Sequence, residues 1–380
     1  MMAPNCKKLG IYVHFPYCVR KCSYCDFYSA SPVPGQTERY IESLKRHAET
    51  LSRKAEGYSA DTVFFGGGTP TLVGGDGIKK VAEILRLNFD MEDGAEFTVE
   101  ANPGTVDRAM LSGIRNAGVN RISFGLQSSV ESELRVLGRI HSFDVFLRSF
   151  HSAREAGFDN INVDLMYAVP GQTAESFAVT LDRVEELRPE HISCYALKLE
   201  KGTSLESERD KYDFPDEDSE FSMYLSAAER LGSAGYKHYE ISNYALEGRE
   251  CRHNLKYWDC REYLGLGPSA HSFFMGARYG YISDTGRYMK SVCAGEEPYS
   301  EYEIVTWPER ESEYVMLRLR LGDGISDEEF RERFGAGFGA KYENRIKKFI
   351  DAGMMKSSSG RYFLTDEGMY ISNYIISELV

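Results

Sequence analysis

Nothing among the 380 residues approaches the roughly 20 consecutive apolar residues that a membrane-spanning helix needs, so a helical membrane protein is excluded. Positive charge is in deficit: 45 Lys and Arg stand against 58 Asp and Glu, a net charge of −13. That balance opposes a broad phosphate-binding face and sets nucleic acid aside as a partner. The opening Met-Met-Ala-Pro-Asn-Cys-Lys-Lys lacks the apolar stretch of a secretory signal and the arginines of an import sequence, which makes the cytoplasm the expected address. There is no internal repeat or low-complexity tract, and the acidic run at 213–220 reads as a solvated loop or helix start around Pro215. Tryptophan is scarce, two residues in all. Against these absences stand 42% hydrophobic residues, enough for one large core and a smaller second one.

Cysteine is sparse but not scattered. Three of the eight, Cys18, Cys22 and Cys25, stand as CxxxCxxC, a coincidence expected on the order of 0.003 times by chance. Zinc would ask for a fourth ligand nearby, as in paired CxxC motifs, and the next cysteine is Cys194. A disulfide framework is disfavoured by the dispersal of Cys6, Cys194, Cys251, Cys260 and Cys293 and by the expected reducing compartment. Three thiolates suit a four-iron cluster with one iron left open to a substrate or cofactor.

Short β-rich runs at 9–15, 61–65, 96–101, 121–126, 160–165 and 191–197 are each followed by helical periodicity. Six βα units imply parallel strands with helices outside them, an α/β fold of the partial TIM-barrel type, (β/α)6. Gly66-Gly67-Gly68-Thr69-Pro70, Glu100, Gln127 and Asp164 fall at the C-terminal ends of those strands, where such barrels carry their chemistry. We therefore expect a core barrel over 1–232, a less regular, aromatic-rich extension over 233–305, and a small α-rich C-terminal domain over 306–380. In that last part Tyr314, Met316, Leu317 and Leu319, then Phe330 and Phe334, are spaced as helices, and Gly360–Thr365 reads as a β-turn element before a final helix.

The cysteine motif after a first strand and the triglycine after a second resemble the radical S-adenosylmethionine (SAM) enzymes. Tyr12-Val13-His14-Phe15-Pro16, Gly125-Leu126-Gln127-Ser128, Val163-Asp164-Leu165-Met166-Tyr167 and His253-Asn254-Leu255-Lys256-Tyr257-Trp258 resemble, more narrowly, the oxygen-independent coproporphyrinogen III oxidase group. The resemblance implies a 4Fe-4S cluster on Cys18, Cys22 and Cys25, with SAM chelating the open iron. It implies Tyr12 and Tyr24 beside the adenosine, and Gly67, Gly68 and Thr69 at the methionine end, where bare backbone N–H groups can meet a carboxylate. Glu100 and Asp164 would accept from ribose hydroxyls; Gln127 and Arg139, the latter on a presumed helix, would donate to a carboxylate.

Oxidases of that group carry a fourth cysteine in CxxxCxxCxC, and here the position is Phe27. Asp26-Phe27 and the HNxxYW motif at His253, Asn254, Tyr257 and Trp258 instead resemble the group's heme chaperone branch. That branch implies heme as cargo, heme-recipient apoproteins such as respiratory cytochromes, and an electron donor as partners, with peripheral membrane contact and oligomeric state left open. His253 is then the candidate axial heme ligand, with Asn254 orienting its ring; the alternative is a loop that closes the barrel mouth. His14 is either a ligand-like neighbour of the cluster or a buried hydrogen-bonding residue. Oxidative decarboxylation of coproporphyrinogen III and anaerobic heme breakdown by a radical methyltransferase remain the enzyme alternatives.

Overall fold

Six strands, β1 (Lys7–Phe15), β2 (Tyr58–Gly67), β3 (Asp90–Ala101), β4 (Arg121–Gln127), β5 (Ile161–Tyr167) and β6 (His191–Ala196), lie parallel and in chain order in the computed structural model, which describes residues 7–380. Cys6 and the residues before it lie outside the described residues, and with them most of the opening segment. Helices α1 (Gln36–Lys54), α2 (Gly74–Asn88), α3 (Arg108–Asn116), α4 (Glu131–Val136), α5 (Phe143–Glu155) and α6 (Ala174–Leu187) make the crossovers that parallel pairing requires.

The period of two along each strand divides the barrel into two chemistries. Val13 and Phe15, Val63 and Phe65, Phe97 and Val99, Ile122 and Phe124, and Val163 and Leu165 all belong to the buried apolar core. Phe15 meets Tyr40 of α1 edge-on at 6.3 Å between ring centroids, so this face fills the layer between strands and helices. Each such side chain contributes about 1.5–3 kcal/mol by leaving water. The alternate residues, among them Tyr12, Glu100, Arg121, Ser123, Asn162, Asp164 and Ser193, line a cavity inside the barrel. This interior is polar and hollow, where a TIM barrel ordinarily packs branched aliphatics in layers.

The acidic run at 213–220 is a helix start: the Asp216 carboxylate accepts from Ser219 N–H at 2.9 Å and caps α8 (Glu217–Ser233), which follows the short α7 (Ser204–Ser207). The stretch expected to be less regular is built of strands. β7 (Lys237–Glu240) and β8 (Asn243–Ala245) extend one edge of the sheet. On the other edge, α9 (Arg252–Trp258) leads into β9 (Tyr263–Leu266), β10 (His271–Phe274), β11 (Ala277–Tyr281) and β12 (Tyr299–Ile304). The sheet runs β12-β11-β10-β9-β1-β2-β3-β4-β5-β6-β8-β7, so the barrel is open. β9 pairs parallel to β1. At three to six residues these strands are too short and too aromatic to show an apolar run.

After α10 (Thr285–Cys293), three helices, α11 (Trp307–Arg318), α12 (Asp327–Phe334) and α13 (Phe338–Asp351), gather around Phe330, which is fully buried and meets Phe334, Phe338 and Tyr342. Gly360, at φ 73°, turns a small hairpin before two terminal helices. Buried Arg318 ties this unit to the barrel side by pairing with Asp259, just past α9, and with Asp323 at 3.0 Å. No helix among the described residues is long and apolar enough to cross a membrane.

Candidate cofactor site at the barrel mouth

The loop after β1 folds back on itself. Tyr17 and Ala30 form a parallel bridge, Cys18 N–H donates to Ala30 O at 3.1 Å, and Cys25 N–H donates to Cys22 O at 3.3 Å. Ser23 fastens the loop to the end of α4 through Val136 O at 2.8 Å and Leu137 O at 3.1 Å. The three thiols thus line one wall of a cavity of about 140 Å³, shared with Tyr24, Phe27, Gly67, Gly68, Glu100, Gln127, Arg139 and Asp164. Among the described residues no three His, Cys, Asp or Glu side chains converge on a single-ion position. Three thiolates around an open cavity fit a cluster that takes each sulfur on a different iron better than they fit a closed tetrahedral zinc site.

At the triglycine, the N–H of Gly67 donates to Glu100 Oε2 at 3.2 Å, that of Gly68 to Phe15 O at 2.7 Å and that of Thr69 to Tyr17 O at 2.7 Å. A Cβ on Gly67 would lie 2.5 Å from the His14 ring, and one on Gly68 2.5 Å from Tyr17 O, which is why both positions are glycine. Thr69 is buried; its hydroxyl accepts from Asn102 Nδ2 at 2.7 Å and lies 3.6 Å from Cys18 Sγ, so it braces the cysteine loop.

Arg139 lies just past α4, in the turn made by Gly138 at φ 73°, and not on a helix. Its guanidinium donates to Cys22 Sγ at 3.3 Å, Asn102 Oδ1 at 2.6 Å and Gly125 O at 2.5 Å. Asn102 escaped the sequence reading, and it holds both Arg139 and Thr69 in place. Gln127, at φ 72°, ends β4 where the pairing with β5 slips by one residue, a bulge that re-aims its side chain into the cavity. Tyr24 packs beside Leu137, Met166 and Val169, and burial pushes its phenol upward. Tyr12, three residues short of the end of β1, faces the interior cavity, and its hydroxyl bonds His14 Nδ1 at 3.1 Å. His14 takes the hydrogen-bonding role of its two readings: Nε2 bonds Tyr28 O at 2.9 Å, and burial lowers the imidazole to about 4.

Glu100 is half-buried between the two cavities; desolvation and then the charge of Asp164 raise it to about 8. A carboxyl whose folded pKa exceeds its unfolded value stabilises the fold most below the unfolded value, and that contribution declines as pH rises toward 8. Glu100→Gln is therefore expected to melt like wild type near pH 5 and roughly 2 °C or more above it at pH 8.5 in the ligand-free protein. Superimposable melting profiles at both pH values would show that the carboxyl is not held neutral.

Deeper in the barrel, a cavity of about 240 Å³ shares Phe27, Gly67, Glu100, Ser123 and Asp164 with the cysteine cavity, so the two adjoin. His253 stands at its far wall on α9, but not as a free ligand. The ring bonds Thr62 Oγ1 at 2.9 Å through Nδ1 and the Tyr257 hydroxyl at 2.8 Å through Nε2, and stacks on Phe64 at 5.4 Å. Burial, with the charge of Lys256, lowers the imidazole to about 3. In this structure both ring nitrogens of His253, the residue expected as axial ligand with Asn254 orienting it, bond within the protein, to Thr62 and Tyr257. Tyr257 and Asn254 are the residues of the motif that line the cavity alongside His253.

The radical SAM superfamily matches over residues 12–184 and the HemN C-terminal domain over residues 305–371. The chain is 32% identical to the Bacillus subtilis heme chaperone HemW over 367 residues, covering 96% of this chain and 97% of that one. It is 35% identical to the Escherichia coli heme chaperone HemW over 326 residues, 85% of each. The coproporphyrinogen III oxidase HemN of Escherichia coli superposes with a TM-score of 0.86 at 22% identity, covering 98% of this chain and 90% of that one, which shows the fold. The chain belongs to the HemW family of the radical SAM superfamily.

Proposed function

We propose that the protein holds a 4Fe-4S cluster on Cys18, Cys22 and Cys25, takes SAM beside it, and carries heme to apoproteins such as respiratory cytochromes in the cytoplasm, with electrons from a separate donor. The observation that carries this reading is the single cavity in which three thiols meet Glu100, Gln127 and Asp164. Heme as cargo rests on the relatives' designation as heme chaperones. When bound, the cluster and SAM supply one-electron cleavage chemistry, which belongs to the cofactors.

The chain's own residues bind and position. Arg139 steadies Cys22 by donating to its sulfur at 3.3 Å. Asn162 donates to Asp164 Oδ1 at 2.7 Å and fixes that carboxylate where it can accept from a hydroxyl. Phe27, 63% exposed, lines both cavities and offers an apolar face where the oxidases of the group carry a thiol.

Gln127→Ala and Asp164→Ala are each expected to weaken SAM binding about ten- to a hundredfold, the loss of one charge-assisted hydrogen bond, while iron content stays constant. Unchanged affinity in both by calorimetry would remove the SAM assignment. The function itself is tested by loading the reconstituted protein with heme and mixing it with apocytochrome. Heme absorbance should pass to the cytochrome fraction, and a protein that takes up no heme would overturn the reading.

A further inference from the structure

Arg121 is the only guanidinium that lines the interior cavity. Its side chain is 2% exposed and its Nε is buried without a partner. Among the described residues, no carboxylate is close enough to it for an ion pair. Every acid around it is already engaged. Glu96 accepts from the N–H groups of Arg252 and His253, both at 2.9 Å, Glu100 from Gly67 N–H at 3.2 Å, and Asp164 from Asn162 at 2.7 Å and Ser123 at 3.4 Å. Glu96 and Asp164 sustain the arginine's charge through space, and Lys256, behind His253, is paired with Asp61 at 2.6 Å. The charge is thus compensated at a distance while the planar fork itself has no direct partner, which leaves its donors available to an incoming anion.

The geometry points to the interior cavity as a carboxylate-recognition site, with Arg121 as the anchor that meets a ligand carboxylate through its planar fork. Ser123 and Ser193 lie on the same cavity wall, their hydroxyls donating to Asp164 and Asn162, and Tyr195, 39% exposed, lines it too. The site accepts a carboxylate arm, not a whole macrocycle, in about 240 Å³. Resting on the function proposed above, the ligand that brings that arm is heme, through a propionate. Glu100 does not oppose it at neutral pH, since burial keeps that carboxyl in its neutral form.

The test removes the carboxylates from the ligand before touching the protein. Reconstituted wild type is titrated with heme and with heme dimethyl ester. The acid form should bind about ten- to a hundredfold more tightly. In Arg121→Met that preference should collapse to within about twofold while the ester binds as before. No preference for the acid form in wild type would overturn the site, and so would a preference that persists undiminished in folded Arg121→Met. Wild type that binds neither heme nor its ester would overturn the proposed function and the site together. Binding without an acid preference overturns the site alone.

Discussion

Cys18→Ala, Cys22→Ala and Cys25→Ala are each expected to lose the four-iron cluster, taking iron content after anaerobic reconstitution from about four per chain to near zero. The polar groups that contact the thiols are the Thr69 hydroxyl, 3.6 Å from Cys18 Sγ and held by Asn102, and the Arg139 guanidinium, a cation. Cys194→Ala and Cys293→Ala should keep the cluster, for reasons of position. Cys194 is buried in the apolar core on the helix-facing side of β6, and Cys293 is exposed at the end of α10. Iron content and visible absorbance decide the matter. Cluster loss in Cys194→Ala, or a full cluster in Cys22→Ala, would mean that the ligand set is wrong.

Arg139→Ala separates bracing from ligation in the same assay. It should leave the iron in place yet loosen it, because it removes a donor to Cys22 Sγ and leaves Asn102 Oδ1 without its partner.

Much of this was legible in the chain because the signals are local. CxxxCxxC is a loop motif whose members are neighbours in sequence and in space, and each parallel strand carries an apolar run that survives reading without a structure. The interior of the barrel was harder to read. Arg121, Ser123, Asn162 and Ser193 alternate with the core residues Ile122, Phe124, Val163 and Ile192, a period of two plainly present in the sequence. A sequence reading centred on strand ends passes over them, since ordinary barrels hide only aliphatics below that level. The triglycine shows a second limit. Its need for glycine follows from the His14 ring and the Tyr17 carbonyl, which arrive from another segment, and no pattern in Gly66-Gly67-Gly68 announces them. His253 shows the same limit in a different form: its partner Tyr257 lies four residues away and is visible in the motif, but Thr62 lies 191 residues away.

The reconstituted wild type, supplied with SAM, a reductant and coproporphyrinogen III, is expected to bind heme yet release no vinyl-bearing porphyrin. Phe27 sits between the cysteine cavity and the interior cavity, 63% exposed, at the position of the thiol that the resembling oxidases carry. A phenyl ring neither donates a hydrogen atom nor accepts a proton, so what it adds there is an apolar face against which a flat macrocycle can pack. Multiple-turnover decarboxylation by wild type would overturn the chaperone reading directly. The companion variant is His253→Ala, which separates ligand from brace. Losing a buried ring with bonds to Thr62 and Tyr257 should cost about 2–4 kcal/mol of stability, because Thr62 is left buried without its partner and Phe64 loses its stacking neighbour. The heme spectrum should keep its axial signature, since neither ring nitrogen faces the cavity free. A His253→Ala protein that melts like wild type but has lost that signature would restore the imidazole as the ligand, and would require Tyr257 to release Nε2 when heme arrives.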